Sequence, residues 1–589
     1  MKTAFYFAIA SALTLTACND FLTRDPLDEI TDKAEFWDVE SNIRTAVYDE
    51  YTTYFPGYRS GWSRADWFSQ TNVADWTDDN AQQKATFFTK VAPAATGSSS
   101  WNFSDLRVIN VLINRINNSH LSTEAQEHWL GVARFLRAME YAKLVNRFGD
   151  VPYYDEALSN TDYEKLYRPR ENRATVMDKV LDDLNYATQH IRTSDGEKGL
   201  NITRDVALAF ASRIMLFEGT WQKYREHNTT HAQRYLQAAK DFANTIMNGN
   251  AYSLCADYKA LTTSEDLAGN PEIILYRSYV EGVETHSLMT FQNTEAEIDS
   301  PSKSLVESYL TKNGLPIHQV GNTQYQGDQT FTAEMTDRDP RLGASINTSR
   351  LFLTGVDDVW AISGYFGNRF VNPNLIDKAG GRSYTCVTDA PVMKLNEVLM
   401  NYIEAAAELA DMGAYTLTQA DFDKTINVIR DRPSTQMPHL TLAGSNLQVN
   451  GVTINDPERD ADVTPIIWEI RRERRTELAY EGIRFDDLRR WSKLHYADMV
   501  RNPKANRGAY LDKTAFVAQY NATHSTPITV ATLAGVKLEG GGNAGYIQPI
   551  SNASLMRTMA EKDYLYPIPQ DQITLYKSRG YELPQNPGW

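Results

Sequence analysis

Two spacings in the chain set acid–base or metal-binding side chains one helical turn apart. Glu473 and Glu477 stand four positions apart in RRERRTELAYEGIRFDDLRRW. On one helix face they raise the question of a paired-carboxylate hydrolase. A retaining glycosidase needs its carboxyls ~5–5.5 Å apart across a cleft, one of them tuned as an acid. Here Arg471, Arg472, Arg474 and Arg475 would neutralise both groups and hold them ionised, and the stripe begun by Ile466 and Ile470 continues into Arg474 and Leu478. That pattern reads as a semi-buried ion-pair network. His227 and His231 in HNTTH have a metal-compatible spacing, but the Asn and two Thr between them favour a turn, and no Glu follows the first His as it does in zinc-protease helices. The sequence shows no phosphate-binding glycine loop, dinucleotide fingerprint or G-x-S-x-G elbow. The expectation is a non-catalytic protein with no cofactor and no metal.

The other chemically distinctive residue is Cys18. Lys2 supplies one positive charge, and Ala4 to Thr16 then run uncharged and mostly apolar (AFYFAIASALTLT). This is a secretory leader, too short for a permanent helix across a ~30 Å hydrocarbon core. The tetrad Leu15-Thr16-Ala17-Cys18 resembles the lipobox of bacterial lipoproteins, in which the new N-terminal cysteine carries the acyl chains. Residues 1–17 are thus expected to be a cleaved signal peptide, and residues 18–40 a lipidated tether and extended segment. Cys255 and Cys386 are the remaining thiols; the sequence leaves open whether they pair.

At 589 residues the chain exceeds the ~250–300 at which one core usually stops growing, so more than one lobe or an extended scaffold is expected. Past the leader no apolar run approaches ~18 residues, so the membrane is expected to hold the protein only through its anchor. Acidic residues outnumber basic ones, 75 to 59, for a balance of −16. That balance argues against a nucleic-acid partner. The 32 Tyr, 22 Phe and 11 Trp supply flat apolar faces, many with a polar tip, which suit both cores and platforms for amphipathic ligands.

The elements that must carry these residues are helices. Apolar residues recur every three or four positions at Leu106–Ile116, Trp129–Val145, Val176–Ile191, Val206–Trp221 and Tyr235–Ile246, and later at Leu395–Leu409 and Phe422–Ile429. Thr203 is placed to cap one helix, and Gly149, Gly249 and Gly413 to stop three others. Small residues in ARFLRAMEYAKL, VALAFASRIML and YIEAAAELA would let helices approach closely, as in helical-hairpin repeats. The fold class read here is mainly α: a tetratricopeptide-like helical-hairpin scaffold with long irregular loops and few short strands. Its body spans 41–589, with repeat-like helices mainly at 100–250 and 392–432. The loop-rich portions at 250–390 and 433–589 are expected to serve ligand binding or capping.

Several blocks together resemble the SusD/RagB family of Bacteroidetes outer-membrane lipoproteins. They are CNDFLTRDPLDEIT (18–31), RFLRAMEYAKLVNRFGDVPYY (134–154), ITRDVALAFASRIMLFEG (202–219), SKSLVESYLTKNGLPI (302–317), RDPRL (338–342), ISGYFGNRF (362–370), PVMKLNEVLMNYIEAAAEL (391–409), the arginine-rich block at 466–491, YPIPQDQI (566–573) and QNPGW (585–589). The resemblance covers essentially the whole chain in order. It implies a surface-facing, lipid-anchored outer-membrane protein that binds glycan and delivers it to a SusC-like TonB-dependent transporter. The alternatives are a peptide-binding RagB-like member or a purely structural cap of the transporter, with a surface glycosidase less favoured.

A glycan site combines exposed rings, which stack on sugar C–H faces, with polar groups for the hydroxyls. The densest such stretch is GYRSGWSRADWFSQTNVADWTDDN at 57–80, offering Trp62, Trp67 and Trp76 with Asn72, Asp75 and Asp78. Trp101 and Asn102 in SSSWNF follow, because in the family this neighbourhood contributes an aromatic and an amide; Trp101 serves equally well as a hydrophobic staple on the next helix. Trp360 in DVWAISGYFGNRF completes the set, with Tyr365 and Arg369 read as packed and paired. YPIPQDQI and QNPGW are read as locking the C-terminus onto the body.

Overall fold

The computed structural model describes residues 34–63, 76–83, 91–295, 300–357 and 361–589. After a short helix α1 (Glu40–Asp49), the scaffold is built from α2 (Ser104–Asn117), α3 (Thr123–Phe148), α4 (Arg173–His190), α5 (Arg204–Tyr224) and α6 (Thr229–Gly249). Consecutive helices pack in antiparallel fashion along the chain, α2 on α3, α3 on α4, α4 on α5 and α5 on α6. Each stripe predicted from periodicity is the buried face: Leu106, Ile109 and Ile116 on α2, Val176, Val180 and Leu184 on α4, and Tyr235, Ala239 and Ile246 on α6 are all inaccessible or nearly so. Close approach explains the small residues. A Cβ on Gly219 of α5 would lie 2.7 Å from Leu236 Cγ and 2.9 Å from its backbone N on α6, so only glycine permits that contact.

The helix ends refine the expectations. Thr203 occupies the N-cap position of α5 but makes no side-chain cap bond. Ser122, Asn172 and Asn228 do cap α3, α4 and α6 through their side chains. Gly149 closes α3 with φ 72°. The left-handed residue ending α6 is Asn250 (φ 51°), one position beyond Gly249. Asn228, in HNTTH, accepts from His231 N at 3.2 Å, and His227 has φ 53°; this segment is a helix-opening turn.

The later hairpin begins with α8 (Leu395–Asp411), which follows the short α7 (Lys303–Ser308) and packs on both α5 and α6. Its second arm is broken into α9 (Gln419–Asp423) and α10 (Ile426–Arg430). The arginine-rich block forms α11 (Pro465–Glu477) and α12 (Arg484–Arg490), and α13 (Gln570–Ser578) lies near the C-terminus. Strands are few: β1 (Asn80–Ala81) pairs antiparallel with β3 (Ser300–Pro301), and β2 (Ile273–Arg277) with β4 (Ala390–Lys394). β5 (Thr441–Ala443), β6 (Asn446–Val449) and β7 (Val452–Thr453) form a meander, and β8 (Tyr510–Asp512) pairs with β9 (Ala544–Tyr546). One large apolar core fills the helical scaffold. A second, holding Tyr58, Leu305, Tyr309, Tyr365 and Phe370, lies under the loop-rich segments. No described helix is long and apolar enough to cross a membrane.

The C-terminus is fastened as expected. Arg170 donates to Pro584 O (2.9 Å) and Asn586 Oδ1 (2.6 Å), Asn586 Nδ2 donates to Phe148 O (3.0 Å), and Trp589 Nε1 donates to Leu565 O (3.0 Å).

Candidate functional site

Among the residues singled out from sequence, Trp62 presents its ring to solvent, with 50% of its surface exposed. It meets Tyr384, itself 48% exposed, edge to face with centroids 5.6 Å apart, and it also meets buried Phe291 at 6.0 Å. Two neighbouring half-exposed rings make a surface on which a sugar face or another flat amphipathic group can lie.

Three separate segments converge here, and His286 ties them together. Gly61, in the left-handed region at φ 58°, turns the chain into Trp62 and donates from its N to Thr285 O at 2.8 Å. His286 and Cys386 exchange both backbone hydrogen bonds at 3.0 Å, which sets Tyr384 two residues upstream of Cys386. The His286 ring is completely buried; Nδ1 accepts from Leu288 N (3.1 Å) and Nε2 donates to Thr388 O (2.8 Å). This pairing fixes the neutral tautomer, and burial pushes the imidazole down to about 4. Leu288 then starts the helical turn that carries Phe291. Asn293 Nδ2 donates to Ile376 O (2.9 Å) and Gly381 O (2.7 Å), and Thr290 Oγ1 donates to Ser383 O (2.5 Å), so the loop bearing Tyr384 is held along its length. Gly381 is required by space: a Cβ there would sit 2.1 Å from Leu375 O. Arg382 pairs with exposed Asp377 at 2.7 Å, and the hydroxyls of Ser383 and Thr385, which flank Tyr384 in sequence, lie 3.1 Å apart.

The other expected residues lie elsewhere. Trp76 is half-buried, edge to face with Phe485 at 5.4 Å, in a satellite core with Trp221. Asp78 is 2% exposed and spent on arginines: Arg484 holds it through two bonds of 2.9 Å, and Arg475 lies 3.1 Å away. Burial alone would raise its carboxyl, but the Arg475 and Arg484 charges override this and hold it far below the usual carboxylate range. Trp101 is 3% exposed, wedged between Phe103 (5.2 Å), the N-cap residue of α2, and Phe148 (4.9 Å), the last residue of α3, so it is a core residue joining the two helices and not an open platform. Its edge borders a groove of about 830 Å³ shared with Tyr154, Tyr167 and Tyr576. Asn102 is exposed, and its Oδ1 accepts from Ser104 N (2.9 Å) at the start of α2. Trp67, Asn72, Asp75, Trp360 and Cys18 lie outside the described residues. Tyr365 and Arg369 are fully buried; Tyr365 Oη donates to Glu334 (2.8 Å) and Arg369 to Glu481 (3.0 Å).

Sequence reasoning missed Tyr384. The available signal was GGRSYTC, an aromatic among small polar residues between a glycine pair and a strand.

The two carboxylates on α11 are structural. Glu473 pairs with Arg341 (2.7 Å) and Arg430 (2.8 Å), and Glu477 with Arg341 (3.0 Å) and Arg432 (2.8 Å), all of them buried. Burial pushes the Glu473 carboxyl up, and the two guanidinium charges outweigh it, bringing it down to about 2. A group so placed holds no proton to donate near neutral pH. Among the described residues no cluster of three or more His, Cys, Asp or Glu is arranged to hold a metal, and Cys255 and Cys386 are free thiols.

A helical-hairpin scaffold that presents an aromatic surface on its loop-rich side is the class defined by these features. The chain matches two family models, one described as the SusD family over residues 354–589 and one as "starch-binding associating with outer membrane" over residues 25–216. It belongs to the SusD/RagB family. SusD-like proteins P25 and P2 of Formosa agariphila are 28% identical over 223 residues and 26% identical over 261, or 35% and 40% of this chain. These matches span 41% and 48% of the relatives' own lengths. Among solved structures, a SusD-like carbohydrate-binding protein of Bacteroides fragilis superposes with a TM-score of 0.64 at 20% identity, covering 92% of this chain and 99% of the other. Surface glycan-binding protein A of Bacteroides fluxus gives 0.57 at 17% identity (94% and 100% covered), and a laminarin-binding SusD-like protein 0.52 at 18% (93% and 99%).

Proposed function

We propose that this protein is a non-catalytic surface lipoprotein that holds glycan on the Trp62–Tyr384 platform and delivers it to a SusC-like TonB-dependent transporter in the outer membrane. The observation carrying this reading is the exposed ring pair, set on a rigid base by His286 and Phe291. Ring faces bind sugar by stacking and make no bond to it, and the α11 carboxylates that might have cut a glycosidic bond are held ionised by arginines. Membership of a family with a starch-binding description, and neighbours named for glycan and laminarin binding, point the same way. The tether in this reading is acylated Cys18, following the leader at 1–17.

Affinity electrophoresis in gels containing laminarin or starch tests the binding. The wild-type protein is retarded by at least one of the two, and Trp62→Ala with Tyr384→Ala removes the retardation while circular dichroism stays native. Equal retardation of wild type and double variant would discard the platform. Cys18→Ala should move the protein from the membrane fraction to the soluble fraction and abolish palmitate labelling. Co-purification with a SusC-like partner tests the delivery step.

A further inference from the structure

A cavity of about 250 Å³ lies between α11, α12 and α7, away from the Trp62–Tyr384 platform. Its walls include Trp468, Trp491 and Tyr496, and five of its lining residues are arginine or lysine. Four of these cations are already paired: Arg472 with Asp456 and Glu469, Arg475 with Asp79 (2.7 Å), Arg484 with Asp78 (2.9 Å), and Lys504 with Glu307 (2.7 Å). Arg471 differs. Its side chain is 94% buried, since only 6% is exposed, and among the described residues its one carboxylate contact is Glu408 at 3.2 Å. Glu408 is already held by Lys223 at 2.6 Å and by the Tyr224 hydroxyl at 2.7 Å. The Arg471 guanidinium lies over the rings of Trp491 (4.5 Å) and Tyr224 (5.1 Å), and its Nε–H has no hydrogen-bond partner among the described residues.

A buried guanidinium with a spare donor calls for an acceptor, and a carboxylate matches its planar fork best. The partly exposed Trp468 and Tyr496 walls offer apolar surface to a ring, Trp491 being buried beneath the guanidiniums, while Asn502 and half-exposed Glu458 can bond hydroxyls. Ligand pockets for larger molecules run about 300–1,000 Å³, so this volume suits one ring and not a chain. We propose that the cavity is a second binding site, for a single acidic sugar ring whose carboxylate meets Arg471. The choice of a sugar as the body of the ligand rests on the carbohydrate-binding reading above; the anion preference rests on Arg471 alone.

The test uses the full mature chain with D-glucuronate, and with D-glucose as its neutral counterpart, followed by calorimetry and tryptophan fluorescence. D-glucuronate should bind at least tenfold tighter than D-glucose. Arg471→Gln should erase that preference; Glu408 keeps Lys223 and Tyr224, so its charge is not stranded. Ser308→Phe, which fills the cavity from the end of α7, should abolish binding of both. Trp62→Ala with Tyr384→Ala should leave D-glucuronate binding unchanged, which separates this site from the platform. The proposal is overturned if the wild type does not bind D-glucuronate, if Arg471→Gln binds it equally, if L-glutamate or sulfate binds tighter, or if the platform variant loses it.

Discussion

Asp78 and Arg484, 406 positions apart in the chain, are joined by two hydrogen bonds of 2.9 Å in a buried fork. Arg475 adds a third contact to Asp78 and holds Asp79 as well, so α11 and α12 grip the short segment that enters β1. Removing one member of a buried pair strands the other, at a typical cost of about 3–5 kcal/mol. Asp78→Ala is expected to cost about that much in urea unfolding, and Arg484→Met a comparable amount. The double variant should lose less than the sum, with a coupling of about 0.5–3 kcal/mol. Strict additivity would show that the fork contributes nothing beyond its separate parts.

Trp62 and Trp101 separate binding from stability. Trp62 is half in solvent, so its replacement by alanine should leave the unfolding midpoint within experimental scatter while weakening glycan retention. Trp101 is enclosed by Phe103 and Phe148, and truncating a buried tryptophan typically costs about 3–5 kcal/mol. Trp101→Ala should therefore lower the melting temperature first, and any loss of retention should follow the loss of folded protein. A variant that keeps its melting temperature but not its retention would place Trp101 in contact with ligand.

The different fates of these two residues show how far a single sequence reaches. The stripes on α2 to α6 were legible because one helix face alternates with solvent at a fixed period, and that period survives any loop inserted between hairpins. An ion-pair role for Glu473 and Glu477 was legible from the charge of their helix, but the partners were not. Arg341, Arg430 and Arg432 from distant segments hold the two glutamates, while Arg471, Arg472, Arg474 and Arg475 pair with other carboxylates. Exposure within a loop has no such signature. Trp62, Trp76 and Trp101 all stand in loops of polar and aromatic residues, and only the packing of Phe485 against Trp76 and of Phe148 against Trp101 half-buries the one and encloses the other. Tyr384 joined the platform through the His286–Cys386 backbone pairing, a contact across a hundred residues that no local pattern encodes.

Acid should unfold the protein in two stages. His128 and His286 are buried, and burial brings both down to about 4 against an ordinary value of about 6.5, so their neutral forms favour the folded state. That contribution is complete above about pH 6.5 and is lost as the pH falls through about 4. For Glu404 and Glu473, burial is outweighed by arginine charges, and both lie at about 2. Their contribution is complete above about pH 4.5 and is lost on the way down to about 2. Stability measured by urea unfolding should begin to decline below pH 6.5 through the histidines and keep declining below 4.5 through the glutamates. A profile flat from pH 7 to pH 3 would contradict both assignments.

Glu469 on α11 should show the opposite dependence. It is 4% exposed; burial raises its carboxyl to about 7, because the charge of Arg472 only partly offsets the desolvation and Asp456 adds repulsion. A carboxyl whose folded value lies above its unfolded one favours the folded state while it is protonated. That benefit is present below about pH 4.5 and is lost as the pH rises through about 7. Glutamine retains the shape and the neutral state of the protonated acid at every pH. Glu469→Gln should therefore match the wild type near pH 4.5 and exceed it at pH 8. At about 1.36 kcal/mol per pKa unit the gain is bounded near 3 kcal/mol, less whatever Arg472 loses in pairing. Arg472 keeps Asp456, so that loss is small. Melting temperatures of the two proteins at pH 5 and pH 8 check the prediction: the gap should open toward alkaline pH, and a gap that closes or reverses would mean that Glu469 is ionised and well paired in the folded protein.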